Sequence, residues 1–210
     1  MIPLEHLTIG YMIYTDFVFR GNASLAQLNH VFQTLKAANI DEFILDLRYN
    51  QGGYIFAVKQ LCSLLALEEV VENEELLIHK KWNKAYQERY ANDPDRLEEH
   101  FDNTVPLDSR LNLKRLWVIT SHVTASASEM LISALSPYMK VNVVGDLTMG
   151  KNMGGIIYTP NDKDLQNWNI MLISTEYSNS REESVKGGIP PMFPILEQFH
   201  HQHQLGDTYD

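Results

Sequence analysis

The sequence predicts an α/β fold: a sheet of βαβ units with covering helices and one helical insertion. Three observations lead there. Short apolar, β-branched runs such as "DEFILDLR", "RLWVITS" and "VNVVGD" alternate with longer stretches of helical periodicity, the order that builds a parallel sheet with helices on its faces. The 210 residues are 44% hydrophobic, enough for one buried core. No repeat, low-complexity tract or linker breaks the pattern, so residues 1–210 read as one domain.

Taken in order, residues 8–19 are rich in β-branched and aromatic residues and predict a strand. "NASLAQLNHVFQTLKAAN" has helical spacing, with Ser24 and Gln27 set for a capping box. "DEFILDLR" is a short buried strand and "YIFAVKQLCSLLALEE" a helix. Residues 73–80 predict a further strand. Residues 83–110 form the insertion, polar and charged over 83–102 and broken near Pro94. "RLWVITS", "SASEMLISALSPYM" and "VNVVGD" resume the strand–helix–strand order. "GGIIYTP" and "NIMLISTEY" predict a closing β-pair, "GGIPP" a loop, and "MFPILEQFHHQHQ" at most a short C-terminal helix.

Composition excludes several classes of partner. A formal net charge of −10 repels phosphate backbones and anionic membrane surfaces, which argues against nucleic acid. Cys62 is the single cysteine, so neither an internal disulfide nor a cysteine metal cluster forms; its setting in "KQLCSLLA" marks a small core residue. No apolar run reaches the ~20 residues that span a bilayer. The first residues lack the basic and small-residue pattern of a signal peptide. The chain is expected to be part of a longer precursor, with any export signal outside it.

In an open parallel sheet, chemistry gathers at the carboxyl ends of the strands. Three loops leave such ends: "DLRYNQGGY" (46–54), "TSHVTASASE" (120–129) and "GDLTMGKNMGG" (145–155). In the second, Ser126 and Glu129 fit a capping box. A serine at a helix N-terminus also faces unpaired N–H groups and the positive end of the dipole, which suits a nucleophile that develops negative charge. The two roles are compatible, but the alcohol needs a base. His122 and Lys151 are the candidates. A lysine acts as base only when neutral, and the apolar and glycine neighbours of Lys151 suit the burial this requires.

The glycines of the first loop allow close backbone approach, so Gly52 or Gly53 could donate an N–H to a substrate carbonyl, with Ala127 N–H as the second donor. Gly145 to Lys151 nearly matches a phosphate-binding loop. However, Asn152 stands where Ser or Thr should hold Mg²⁺, and the next segment reads as a strand, so no nucleotide is expected.

Together, "DLRYNQGG", "SHVTASASEM" and "VVGDLTMGKN" resemble the signatures of the C-terminal processing peptidases, or tail-specific proteases. The match covers residues 41–155, with the lysine 25 residues after the serine. The resemblance implies a crotonase/ClpP-like α/β architecture and a Ser-Lys serine endopeptidase: Ser126 the nucleophile, Lys151 the base, and Gly52 or Gly53 with Ala127 the oxyanion hole. Arg48, Glu129 and Thr148 fall at supporting positions of the motifs. Arg48 and Glu129 are expected to hold loops, and Thr148 to position the lysine. The implied substrate is an extended or C-terminal polypeptide segment, with no cofactor, metal or nucleotide, and the implied location is the bacterial envelope or periplasm.

The chain departs from the family pattern. Gly155 replaces a frequent lysine-orienting glutamine, leaving Asn152 as the candidate orienter, and Pro137 replaces an acidic residue. Gln51 interrupts the glycine run, and no PDZ-like gating segment is read in these residues. These departures motivate an alternative: a peptide-binding module on the same scaffold, weakened as a catalyst. A crotonase-type acyl-CoA enzyme leaves the Ser126–Lys151 pair without a role. His200, His201 and His203 read as a solvated terminal segment, since no acidic partner lies at metal-ligand spacing. "NDPDRLEEHFD" reads as a solvated acidic face, lacking the calcium-loop pattern.

Overall fold

A computed structural model describes residues 2–4, 7–18, 21–161, 165, 167–195 and 206–207; for 2–4 and 22 it describes the backbone alone. Two sheets organise the chain. The first has six strands in the order β1 (Ile2–Leu4), β2 (Leu7–Ile13), β3 (Glu42–Asp46), β6 (Arg115–Thr120), β7 (Lys140–Gly145) and β10 (Phe193–Pro194). Only the β1–β2 pair is antiparallel. The apolar runs read as buried strands are buried: Phe43, Leu45, Leu116 and Val118 are inaccessible to solvent. That is the pattern of parallel strands covered on both faces. The covering helices include α1 (Asn22–Ala37), α2 (Ile55–Leu65) and α6 (Ala127–Leu135), whose Phe32, Leu61, Leu65, Leu131 and Leu135 join the same core. Cys62 belongs to this core, and burial pushes its thiol up.

The second sheet is antiparallel, in the order β5 (Glu98–His100), β4 (Leu76–Trp82), β9 (Ile170–Asn179) and β8 (Met153–Tyr158). The β8–β9 pair and the strand after residue 73 follow the sequence expectation. The pairing of β4 with β9, Ile78 against Asn179 and Trp82 against Thr175, does not. It joins segments almost a hundred residues apart, and no local pattern records such a contact.

Several boundaries are corrected. The strand expected over 8–19 ends at Ile13, and Phe17 makes a single bridge to Gly53. Helix α1 starts after Gly21, and the Ser24 hydroxyl donates to Gly21 O at 2.9 Å instead of forming a capping box with Gln27. The helix after Tyr54 stops at Leu65, and a separate turn of helix, α3, covers Glu68–Glu72. The insertion is not wholly helical: α4 (Lys84–Arg89) and α5 (Pro94–Leu97) are short, and the chain then returns as β5. Trp82 closes on α4, its ring 5.8 Å from that of Tyr86. Where a C-terminal helix was anticipated, Phe193 and Pro194 pair beside the end of β7 as β10; residues 196–205, with His200, His201 and His203, lie outside the described residues.

Leu45 lies in the middle of the parallel sheet with no exposed surface. Leu45→Ala is expected to cost about 2–5 kcal/mol through lost burial and the cavity left behind, read as a lower urea midpoint with an unchanged denaturant slope.

Candidate active site

Strands β3, β6 and β7 are neighbours, with Asp46 opposite Ile119 and Thr120 opposite Gly145. Their carboxyl ends therefore deliver the three loops to one rim. Thr124 Oγ1 donates to Leu47 O at 2.8 Å and accepts from Ser121 N at 2.9 Å, and the Ser121 hydroxyl donates to Arg48 O. Arg48 pairs with buried Asp46, Nη2 to Oδ2 at 2.9 Å. Tyr11 donates to the same oxygen at 2.7 Å; burial and this carboxylate push the Tyr11 hydroxyl up to about 12. Arg48 thus ties the start of the first loop to the end of β3.

Asn50 is fully buried and joins the first loop to the second. Its Nδ2 donates to Tyr14 O at 2.7 Å, and its Oδ1 accepts from Gly52 N at 2.8 Å. Its main-chain oxygen accepts from Ala125 N at 3.1 Å and Ser128 Oγ at 3.0 Å. Both flanks of the Ser126 turn are pinned in this way. Sequence reasoning passed over Asn50 and Ser128, although an Asn two residues before a glycine carries an Asx-turn signal.

Ser126 is the N-cap of α6, with φ 58° and ψ −115°. Positive φ is uncommon outside glycine and marks a turn that the surroundings hold in place. Gly52 is part of that constraint. At its φ of +104°, a Cβ would lie 2.7 Å from Ser126 Cβ and 2.8 Å from Ala127 N. The Gly52 N–H is committed to Asn50, whereas the N–H groups of Gly53 and Ala127 have no acceptor among the described residues.

Glu129 joins the second loop to the third. It has no exposed surface and accepts four hydrogen bonds. Oε2 takes Ser126 N and Lys151 N, each at 2.8 Å. Oε1 takes Thr148 Oγ1 and Gly150 N, each at 2.5 Å. Thr148 Oγ1 in turn accepts from Ile189 N at 2.7 Å, so the "GGIPP" return docks on the lysine loop. No local signal in the sequence announces that contact.

Ser126 and Lys151 line one cavity, floored by Ile78, Met130, Ala134 and Val185. Its free volume is ≈ 10 Å³, about one water, so it is a notch. Lys151 is exposed, so the burial that its neighbours would suit is not found, and its side chain has no hydrogen bond or ion pair among the described residues. Asn152 does not take the absent glutamine's place through its amide nitrogen, which donates to Ser184 Oγ at 3.0 Å. His122 is exposed, with Nδ1 4.0 Å from Asp146 Oδ2, and does not line the notch. The near-match to a phosphate loop runs into strand β8, not a helix.

This geometry can be set beside known proteins. A model of peptidase family S41 matches residues 8–194. The chain belongs to peptidase family S41. Carboxyl-terminal-processing peptidase 2, chloroplastic, of Arabidopsis thaliana is 27% identical over 192 residues, covering 91% of this chain and 32% of that protein. The structure of a putative S41 protease from Bacteroides fragilis superposes with a TM-score of 0.81 at 26% identity, covering 93% of this chain and 49% of that one. The photosystem II D1 C-terminal processing protease shares the fold, with a TM-score of 0.60 at 19% identity over 90% of this chain and 42% of its own. The chain thus spans about a third of its curated relative and half of the Bacteroides fragilis protein. The α/β core with a second, curled antiparallel sheet is the fold of these S41 neighbours.

Replacing Glu129 with Gln turns an N–H₂ toward donors. Glu129→Gln is expected to lower stability by about 2–4 kcal/mol, and Thr148→Val by about 1–2 kcal/mol, since each leaves buried donors unpaired; urea denaturation of the two variants tests the order.

Proposed function

We propose that this chain is the catalytic core of a serine peptidase that cleaves extended or C-terminal polypeptide segments. One observation carries the reading. A single buried carboxylate oxygen, Glu129 Oε2, holds the backbone N–H of both Ser126 and Lys151 at 2.8 Å, and the two side chains line one notch. In the proposed reaction, Ser126 Oγ bonds to the scissile carbonyl carbon and its proton passes to neutral Lys151 Nζ. The carbonyl oxygen, now negative, takes the N–H groups of Gly53 and Ala127, the donors left without acceptors. Collapse breaks the carbon–nitrogen bond, and the Lys151 ammonium gives its proton to the departing amine. A water, deprotonated by the same amine, then releases the acyl group.

The exposed amine fits this scheme when substrate is considered. A peptide lying across the notch replaces the water around Nζ. The absence of a partner for Nζ among the described residues supports a second reading, in which the scaffold captures peptides and cleaves them poorly. No helix among the described residues is long and apolar enough to cross a membrane. A bacterial envelope or periplasmic setting goes with the peptidase reading.

Ser126→Ala and Lys151→Ala are each expected to lower kcat/KM on an unstructured peptide by at least about a thousandfold. His122→Ala and added chelator should change it less than twofold. Full activity in Lys151→Ala with loss in His122→Ala would replace the dyad by a Ser-His pair. A wild-type chain that binds the peptide without cleaving it would establish the second reading. Gly52→Ala, which crowds Ser126 Cβ, should cut labelling of Ser126 by a fluorophosphonate at least tenfold while far-UV circular dichroism is unchanged.

A further inference from the structure

The antiparallel sheet narrows toward one end. Strand β4 pairs with β9 over Thr175–Asn179 only, and there Thr175 is buried. Beyond it, Ile170–Ile173 pair with Gly155–Tyr158 alone among the described residues. Segment 153–173 therefore leaves the body as a two-stranded arm. A two-stranded hairpin is marginal in water by itself.

The arm is apolar on both faces. Successive strand residues point to opposite sides, yet Ile170, Met171, Leu172 and Ile173 are 51, 54, 47 and 55% exposed. Ile157 and Tyr158 on the facing strand are more than half exposed, and Trp168, just before β9, is 67% exposed. Single exposed apolar residues are ordinary, whereas a contiguous patch marks an interaction surface. Half-exposed side chains of this size leave about 100 Å² each open to water, so together they approach the ~800 Å² that each partner buries in a standard interface.

Two features point to a second copy of this chain as the occupant. The first is charge. Chains of net charge −10 repel one another, but residues 153–158 and 165–173 carry no charge, so two copies can meet along the arm without opposing like charges. The second is shape. At the base of the arm lies a cavity of ≈ 320 Å³, lined by Trp82, Met153 and Ile173 beside polar Lys81, Asn83 and Glu176. Its volume is that of a small ligand site, enough for an indole. Trp82 is held in place, its Nε1 donating to Arg96 O at 2.6 Å and its ring 5.1 Å from that of Tyr90. A chain that carries a protruding tryptophan and a cavity able to receive one is self-complementary, and a two-fold axis satisfies both at once.

We propose that segment 153–173 is a dimerisation arm: two copies exchange it about a two-fold axis, and Trp168 of each enters the cavity at the base of the other's arm. Exchange covers both faces of the arm, which packing on one face does not. The cavity shares no lining residue with the Ser126–Lys151 notch, so filling it leaves the notch open.

Sedimentation equilibrium of the full chain is expected to show a dimer with a Kd in the micromolar range or tighter, as interfaces of this area give. Trp168→Ala, Met171→Glu and Leu172→Glu, the last two on opposite faces, should each raise that Kd at least tenfold with far-UV circular dichroism unchanged. Asn167→Cys and Lys81→Cys chains, one altered beside the tryptophan and the other in the cavity wall, should form an intermolecular disulfide when mixed and oxidised, beyond any formed by either alone. That cross-link keeps the test decisive where a glutamate variant misfolds. A wild-type chain that stays monomeric at about 100 μM would overturn the proposal and leave the arm to a different partner. So would a dimer indifferent to the three substitutions, or one sensitive to them whose mixed cysteine variants fail to cross-link.

Discussion

The Glu129 carboxylate is the constraint on which the site depends. A buried carboxylate is costly unless its oxygens are fully hydrogen-bonded, and here four donors meet them. Three are backbone N–H groups, at Ser126, Gly150 and Lys151, so the carboxylate fixes main chain on two loops. It also sits in the first turn of α6, where the helix dipole favours negative charge. A capping box and a clamp between loops are therefore the same object, since the residue that stops α6 from fraying also sets the spacing between the serine and lysine loops.

Topology makes this economy possible. Consecutive loops meet only because β3, β6 and β7 are adjacent and parallel, which places all three carboxyl ends on one rim. Cross-links then run in series, from Asn50 to the Ser126 turn and from Glu129 to the lysine loop. The "GGIPP" return finishes the series through Ile189 and Thr148. The strained Ser126 backbone persists because Asn50, Gly52 and Glu129 each restrict the same turn. Relaxing one contact leaves the others to resist, and losing Glu129 releases two loops together.

Much of this was legible in the sequence because the information is local. "DLRYNQGG", "TASASEM" and "TMGKN" each specify a turn by their own chemistry, and the intervening runs have the strand or helix period that orders them on one sheet. The serine was readable as the cap of α6, and it holds that place with Glu129 as the other half of the capping box. What was not legible is long-range or depends on surroundings. The β4–β9 pairing and the Ile189 contact join distant segments. The cap of α1 went to Gly21, whose positive φ outcompeted a side-chain cap at Ser24. Apolar and glycine neighbours around Lys151 read as burial, but Met149 and Met153 on either side of it are themselves exposed.

That last discrepancy has physical content. Glu129 immobilises the backbone of Lys151 and leaves the side chain in solvent, free among its rotamers. Ordering such a side chain costs up to about 2 kcal/mol. The main chain of Lys151 is thus fixed while its side chain is not, and the remaining order has to come from whatever covers the notch.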